Sequence, residues 1–493
     1  MQQALHIFKK DVRYLRYEVA LVLLIALAFA AMHATHERNN SSWGELALVV
    51  MSAFLIGRLV LAEAIPGDRQ FWITRPYRWL SLLGAKLLFI LTFVNLPILL
   101  AQLFIVTMDG FPIGSSLPGL VWSQVLLLTF ALLPFAALAT LNSGMTPFIF
   151  SQIAILAVVF GPWEMRRQLD VAQLGGVEWV RDSIAGLALA AVVIPIIYVQ
   201  YKSRRTVFSR WVGLGGIAIA ALIYAELPTT LALALQTHLS KEPAAASSIQ
   251  ISLGDSSGPL WYRRQPKIAL RIPIVVQGLA EGAEIEPDAL KLSLHSEDGR
   301  SANLNINDCS ELKRDTLSAN AVRISAMCMA DPTFFHLENG KPVTFRGSLY
   351  LTLFGNARSE TIPLSDQPAN ALDGLQCYTD VVRAEWDVYC RSAFRWPARL
   401  ISAKLRHTNA NSFTQTVSYS PFPASLSIEP VETRWASAYA AGPPPTEPVR
   451  DVTIIVEEPL AHFRRDFEAQ GVPLNEFTFP SFHYLHPEKA TVH

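Results

Sequence analysis

Charge is scarce in this chain, and cysteine is missing from most of it. Only 17% of the 493 residues are charged, against about 25% in an ordinary soluble domain. Hydrophobic residues make up 51%, and the formal net charge is zero. None of the four cysteines lies in the first 308 residues. No G-x-x-x-x-G-K-[ST] stretch occurs, and Gly340-Lys341 is followed by Pro342 in a strand-rich region, so the chain carries no P-loop for ATP. No H-E-x-x-H appears among the scattered histidines. His33 and His36 are close enough to share a metal, yet a wet two-histidine loop reads as a loop, so no metal or cofactor is expected. With no net charge and no basic domain, nucleic acid is excluded as a partner. Gly254-Asp255-Ser256-Ser257-Gly258 matches a G-x-S-x-G elbow, which needs a strand before the serine and a helix after it. Pro259 follows at once and strand patterns come next, so this is read as a polar turn. With no catalytic constellation, the chain is not expected to be an enzyme.

What remains is apolar and concentrated in the first half. About 20 helical residues cross a hydrocarbon layer roughly 30 Å thick. Runs near that length cover 17–32, 46–61, 87–108, 117–141, 146–163 and 183–201, with a seventh at 211–225 that is shorter unless it continues past Glu226 toward Leu233. The first is followed by too many further spans to be a cleaved signal peptide. The expected fold is a polytopic α-helical membrane domain, with a six-helix core over 19–205 and a seventh span within 206–239.

Basic residues beside each span set the orientation. Lys9, Lys10, Arg13 and Arg16 precede the first span, which puts the N-terminus inside. Residues 33–42 hold one arginine and read as outside, the loop after the second span as inside, and 109–116, with no basic residue, as outside. Residues 142–145 are too few to vote, and 164–182 carry mixed charge and are outside by parity. Lys202, Arg204, Arg205 and Arg210 mark another inner loop. Arg58 and Glu63 lie at the inner end of the second span and are read as interface anchors. Span centres are otherwise nearly free of charge, so energy for transport is expected from outside the chain.

With seven spans, the chain beyond about Leu239 is external, and all four cysteines fall there. Confinement of an even number to an external region suits an oxidising compartment and two disulfides. The local pairs Cys309–Cys328 and Cys377–Cys390 are favoured, and a bridge between Cys328 and Cys390 stays open. Period-two alternation runs through Ile268–Val276, Leu290–Leu294, Val322–Cys328, Leu349–Leu353 and Trp386–Cys390, with turn signals at Asp298-Gly299 and Asn339-Gly340. Such strands, each with one buried face, predict an all-β sandwich-type region over 240–440. Pro273 predicts an edge strand for its run. Beyond a Pro-rich linker at 441–445, Val452–Val456 predicts a strand and His462–Ala469 a short helix, followed by a loose tail. No internal repeat or low-complexity tract is evident.

Two basic, aromatic elements share the inner side. Leu5, Phe8, Val12 and Leu15 recur at helical spacing, with Lys9, Arg13 and Arg16 on another face, so residues 1–18 read as an amphipathic helix against membrane lipid. The second element is the loop Asp68-Arg69-Gln70-Phe71-Trp72-Ile73-Thr74-Arg75-Pro76, followed by Tyr77-Arg78-Trp79 and Lys86. An aromatic, arginine-rich loop between two spans is suited to touching a partner. Met165, Leu169 and Ala172 give the external 164–182 connection a weak apolar face.

The order of a basic amphipathic N-terminus, two spans, this loop and four further spans resembles ABC-2-type transporter permeases over residues ~1–205, most specifically across 63–86. The resemblance implies a six-helix subunit that dimerises with a like or related subunit and works with a separate ATP-binding subunit, which hydrolyses the ATP. It implies that Asp68, Arg69, Phe71, Trp72, Arg75 and Pro76 are coupling contacts in a cleft of that ATPase. It also implies that 5–16 is a connecting helix and 164–182 the re-entrant external segment. The expected function is the permease subunit of an ATP-driven exporter, in a bacterial plasma membrane, with the β region outside. The alternative is a membrane-anchored sensor, scaffold or binding protein acting through its β region.

Overall fold

A computed structural model describes residues 2–34, 41–62, 78–155, 157, 178–255, 268–304, most of 308–438, and 451–474. It consists of a helical membrane domain followed by a β domain.

The helices are α1 (Gln2–Tyr14), α2 (Arg16–Ala34), α3 (Ser41–Leu61), α4 (Trp79–Ile90), α5 (Leu96–Met108), α6 (Ile113–Leu127) and α7 (Leu133–Leu141). Then come α8 (Met145–Ile155), α9 (Glu178–Ser203), α10 (Thr206–Glu226) and α11 (Thr229–Leu239). Among the described residues, six helical stretches are long and apolar enough to cross a membrane: 16–33, 43–61, 79–108, 113–141, 179–203 and 206–223. The expected fifth span begins as the shorter α8, and its remainder lies outside the described residues. Most of the 164–182 connection also lies outside them, and its last five residues are the start of α9 rather than loop. The third span likewise starts earlier than expected. Trp79–Lys86, read as loop because of its basic and aromatic residues, is helical and continuous with the span.

Spans three and four are each interrupted at mid-length by a π-helical turn, Leu91–Asn95 and Leu128–Leu132. Each turn is followed two residues later by a proline, Pro97 or Pro134. A proline brings no N–H and its ring crowds the carbonyl four residues back, so the regular ladder cannot run through it. The wider turn absorbs the defect. The run Leu-Thr-Phe-x-x-Leu-Pro recurs in both places, a short internal repeat that a reading for long periods passes over.

Close helix packing uses small residues, as is common between membrane helices. A Cβ at Gly57 in α3 would lie 2.5 Å from the Phe148 ring of α8, and one at Gly216 in α10 would lie 2.7 Å from Val192 of α9. At the other extreme, α10 is mostly uncovered, with Val207, Trp211, Leu214 and Leu222 exposed.

Among the described residues, the β domain holds three antiparallel sheets. The first has the order β1 (Gln250–Leu253), β2 (Ile268–Gln277), β6 (Ala321–Ala330), β5 (Cys309–Ser318). The largest has the order β12 (Phe413–Thr416), β11 (Leu400–Leu405), β14 (Asp451–Pro473), β7 (Pro342–Pro363), β3 (Glu284–Ser296), β4 (Ser301–Leu304). The third is β13 (Val431–Ala438), β10 (Glu385–Ala393), β9 (Leu375–Val382), β8 (Ala369–Asn370). The first sheet packs on the β3–β7–β14 part of the largest one. Leu270, Ile272, Ile274 and Val276 there meet Leu290, Leu292, Leu294, Leu349, Leu351 and Leu353. These are the alternating sets expected from the sequence. A short helix α12 (Pro332–Glu338) contributes Phe334 to the same core.

Two expectations need correction. His462–Ala469 is not a helix: it belongs to β14, which runs through the centre of the largest sheet between β7 and β11. Phe463 and Phe467 stand four residues apart, a spacing that fits one helix face and one strand face equally. Pairing with β7, where Phe463 faces Leu351 and Phe467 faces Gly347, decides for the strand. Pro273 does not make β2 an edge strand, since β2 lies between β1 and β6. Its carbonyl accepts from Gly254 N at 2.8 Å just past the end of β1, so the missing N–H falls where the β1 ladder runs out. Gly254 thereby extends a strand, while Ser256–Gly258 lie outside the described residues, as do Asn339-Gly340, the 441–445 linker and the tail beyond Leu474.

Candidate functional site at the two ends of the helical bundle

The α1 end of the bundle is organised by charge pairs that the sequence does not advertise. Helix α1 lies along α4, and Lys86 Nζ donates to Asp11 Oδ2 at 2.8 Å. Both side chains are only 2% exposed. Phe8 stacks on Phe93 (5.8 Å between centroids) and meets Phe89 edge-on, extending the contact into the first π turn. The buried face of α1 centres on Ile7 and Asp11, with buried Leu15 just past its end, whereas Leu5, expected on the apolar face, is exposed. Arg58 does not act as a free interface anchor: its guanidinium donates to Glu18 Oε1 at 3.3 Å, joining α3 to α2, with the Tyr14 ring beside it. Arg78 N donates to Gln3 Oε1 at 3.4 Å, and Trp79 meets Tyr198 of α9 edge-on at 5.5 Å.

These contacts bracket the loop that the sequence singles out. Ala62 closes α3 on one side through Ala62 N to Arg58 O, and Arg78 opens α4 on the other. Asp68, Arg69, Phe71, Trp72, Arg75 and Pro76 themselves lie outside the described residues. Lys86 was grouped with the loop because it is basic. Its buried role had a weak signal in the sequence, an aspartate one turn from Ile7 and Phe8 on an otherwise apolar helix face.

At the opposite end, the β domain is seated on the bundle. Arg391 of β10 donates to Asp109 Oδ2 at 2.6 Å, both about nine-tenths buried. Ile428 is packed in the helical core with Val431 and Ala393. Its carbonyl accepts from Gln102 Nε2 of α5 at 2.7 Å, and its N–H donates to the Glu45 carboxylate of α3. Gln124 Nε2 of α6 donates to Gln102 Oε1 at 2.6 Å, so an amide row joins α6, α5 and the β domain. Gly110, in the α5–α6 turn at φ +78°, approaches Gln376 so closely that a Cβ would lie 3.1 Å from Nε2. Trp179 of α9 donates to Gln236 of α11 at 2.9 Å, and Lys241 pairs with Glu458 of β14. No sequence pattern links these groups, because the partners lie as much as 383 positions apart.

All four cysteines are bridged, Cys309 to Cys328 and Cys377 to Cys390. Each bridge joins directly opposed residues of neighbouring strands, so the pairing Cys328–Cys390 is excluded. The two bridges suit an oxidising compartment for the β domain.

One constellation resembles a catalytic set but is closed. Thr352 Oγ1 donates to Asp288 Oδ2 at 2.8 Å and lies 2.9 Å from His462 Nδ1, which is 3.2 Å from the same carboxylate. Thr352 and His462 are essentially without solvent exposure. They tie the β3 bulge at Asp288 to β7 and β14. Among the described residues, no cluster of three or more His, Cys, Asp or Glu offers a metal site.

No protein-family model matches this chain, and no curated protein does. The functional reading therefore rests on the geometry above.

Proposed function

We propose that the chain is the permease subunit of an ATP-driven exporter, with hydrolysis carried out by a separate ATP-binding subunit. The observation that carries this reading is the framing of residues 63–77. This stretch is flanked by α3, which carries the Arg58–Glu18 pair, and by α4, which α1 grips through the buried Asp11–Lys86 pair. Flanking helices held by such packed contacts carry force from a partner at this stretch into the spans, which is what coupling requires. In this reading Asp68, Arg69, Phe71, Trp72, Arg75 and Pro76 are the contacts with the ATPase, and the largely uncovered α10 faces lipid or a second permease subunit. The α1 end is cytoplasmic, the β domain lies outside a bacterial plasma membrane, and the basic residues around α1 support that orientation.

A second reading, a membrane-anchored sensor or scaffold, draws on a different observation. The β domain is held to the bundle by Arg391, Gln376 and Ile428 rather than by a tether alone.

Co-purification separates the two. Aromatic and arginine side chains dominate interface hot spots, at about 2 kcal/mol or more each. Wild-type protein should bring down an ATPase, and Trp72→Ala with Arg75→Ala should lose it while still inserting and forming both disulfides. Recovery of no ATPase with the wild type would favour the sensor.

A further inference from the structure

The repeated Leu-Thr-Phe-x-x-Leu-Pro run is used by neither reading above. It places a π-helical turn at the middle of two adjacent spans, Leu91–Asn95 and Leu128–Leu132. Asn95 Nδ2, in the first turn, reaches Gln124 O of α6 at 3.5 Å, one helical turn before the second π turn. Single π turns inside helices mark functional sites unusually often. Here each is fixed by a proline that cannot close the ladder, so both spans have a weak point near mid-length.

What lies on each side of these turns differs. On the α1 side, α4 is clamped by Asp11–Lys86 and by Phe8 against Phe89 and Phe93. Phe130, the residue matching Phe93 in the second copy, sits against Gly186 of α9. On the other side, α5 and α6 form a hairpin closed by residues 109–112. The β domain grips that hairpin through Arg391 on Asp109, the Ile428 carbonyl on Gln102 and Gln376 against Gly110.

We propose that α5–α6 is a movable hairpin, hinged at the two π turns and latched by the β domain, so that displacement of the β domain swings the outer half of the bundle. The two prolines are hinge residues, and Asp109, Arg391 and Gln102 form the latch. The latch joins its polar contacts to an apolar seat at Ile428, whereas the α1-side clamp adds an aromatic cluster to its ion pair. Movement is concentrated at the hinges because packed helices elsewhere are not continuously deformable. The inference does not depend on an ATPase partner.

The test is a distance measurement across the hinges in purified full-length protein in nanodiscs. Gly84 in α4 and Gly114 in α6 have open space around a built Cβ, so Gly84→Cys with Gly114→Cys accepts paired spin labels. The native cysteines are all bridged and stay unlabelled. The latched protein should give one narrow distance distribution. Asp109→Ala with Arg391→Ala should add a second population, a shift of about tenfold or more in the open-to-latched ratio, within the ~5–150-fold range of linked sites. Adding Pro97→Ala and Pro134→Ala, which restores two N–H donors, should remove that population. The charge swap Asp109→Arg with Arg391→Asp should return the distribution to the latched form. Asp109→Asn provides a milder release if the double alanine protein loses its disulfides. An unchanged distribution on latch release overturns the proposal, and so does a second population that survives proline replacement.

Discussion

The Asp11–Lys86 pair makes the most quantitative demand on the structure. At 2.8 Å and 2% exposure on each side, the gross attraction is ~6 kcal/mol at an effective dielectric near 20. Removing both ions from water costs several kcal/mol each, so the intact pair contributes little net stability. Deleting one partner is different, because the survivor stays buried without its counter-charge. Asp11→Ala is therefore expected to destabilise the helical domain by about 3–5 kcal/mol. The apolar replacement Asp11→Leu with Lys86→Met should recover most of that loss, or exceed the wild type, since similar volume is packed with no charge to desolvate. Unfolding curves in mild detergent give the magnitudes, and hydrogen exchange over residues 2–14 reports whether α1 leaves α4. A cost below about 1 kcal/mol for Asp11→Ala, the range of a solvated surface pair, would refute the docking of α1 on α4. Failure of the apolar double variant to recover stability would refute the desolvation argument.

Three further outcomes can be checked on the β domain. A Cβ at Gly347 would lie 2.2 Å from the buried Phe467 ring. Gly347→Ala should then cost about 1–3 kcal/mol, and Phe467→Leu in the same background should restore part of it in denaturant titrations. Replacing Cys377 and Cys390 by serine should cost about 2–5 kcal/mol, and thiol labelling of denatured, unreduced wild type should find no free group. The Glu338 carboxyl is held below the usual carboxylate range, first by the Ser296 hydroxyl and then by Arg300 and Lys341. A lowered pKa gives stability that is present above the unfolded value and lost as pH falls through the folded one. Melting temperature should drop across that acidic window in wild type and drop less in Glu338→Gln; equal slopes would contradict the network.

Much of the architecture was legible because it follows from solvent. Hydrocarbon forces every spanning segment to satisfy its own backbone, so apolar runs of the right length had to be helices. Alternation along β2, β3, β6 and β7 announced which side chains face the core, since a strand has only two faces. The grouping of cysteines beyond residue 308 announced the bridges. Where two periods coincide, as at Phe463 and Phe467, the sequence underdetermined the element, and pairing with β7 settled it.

The ends of the bundle were decided only by tertiary structure. Lys86 reads as one more basic residue near a membrane surface until Asp11, 75 positions earlier, is brought to it. Gln102 and Gln124 are ordinary amides until the fold supplies each with the other and with the Ile428 carbonyl. Composition and periodicity fix what each segment must do against its solvent, because that depends on the segment itself. Which buried polar group meets which depends on the path of the whole chain, and the high cost of leaving such a group unpaired selects one arrangement among many.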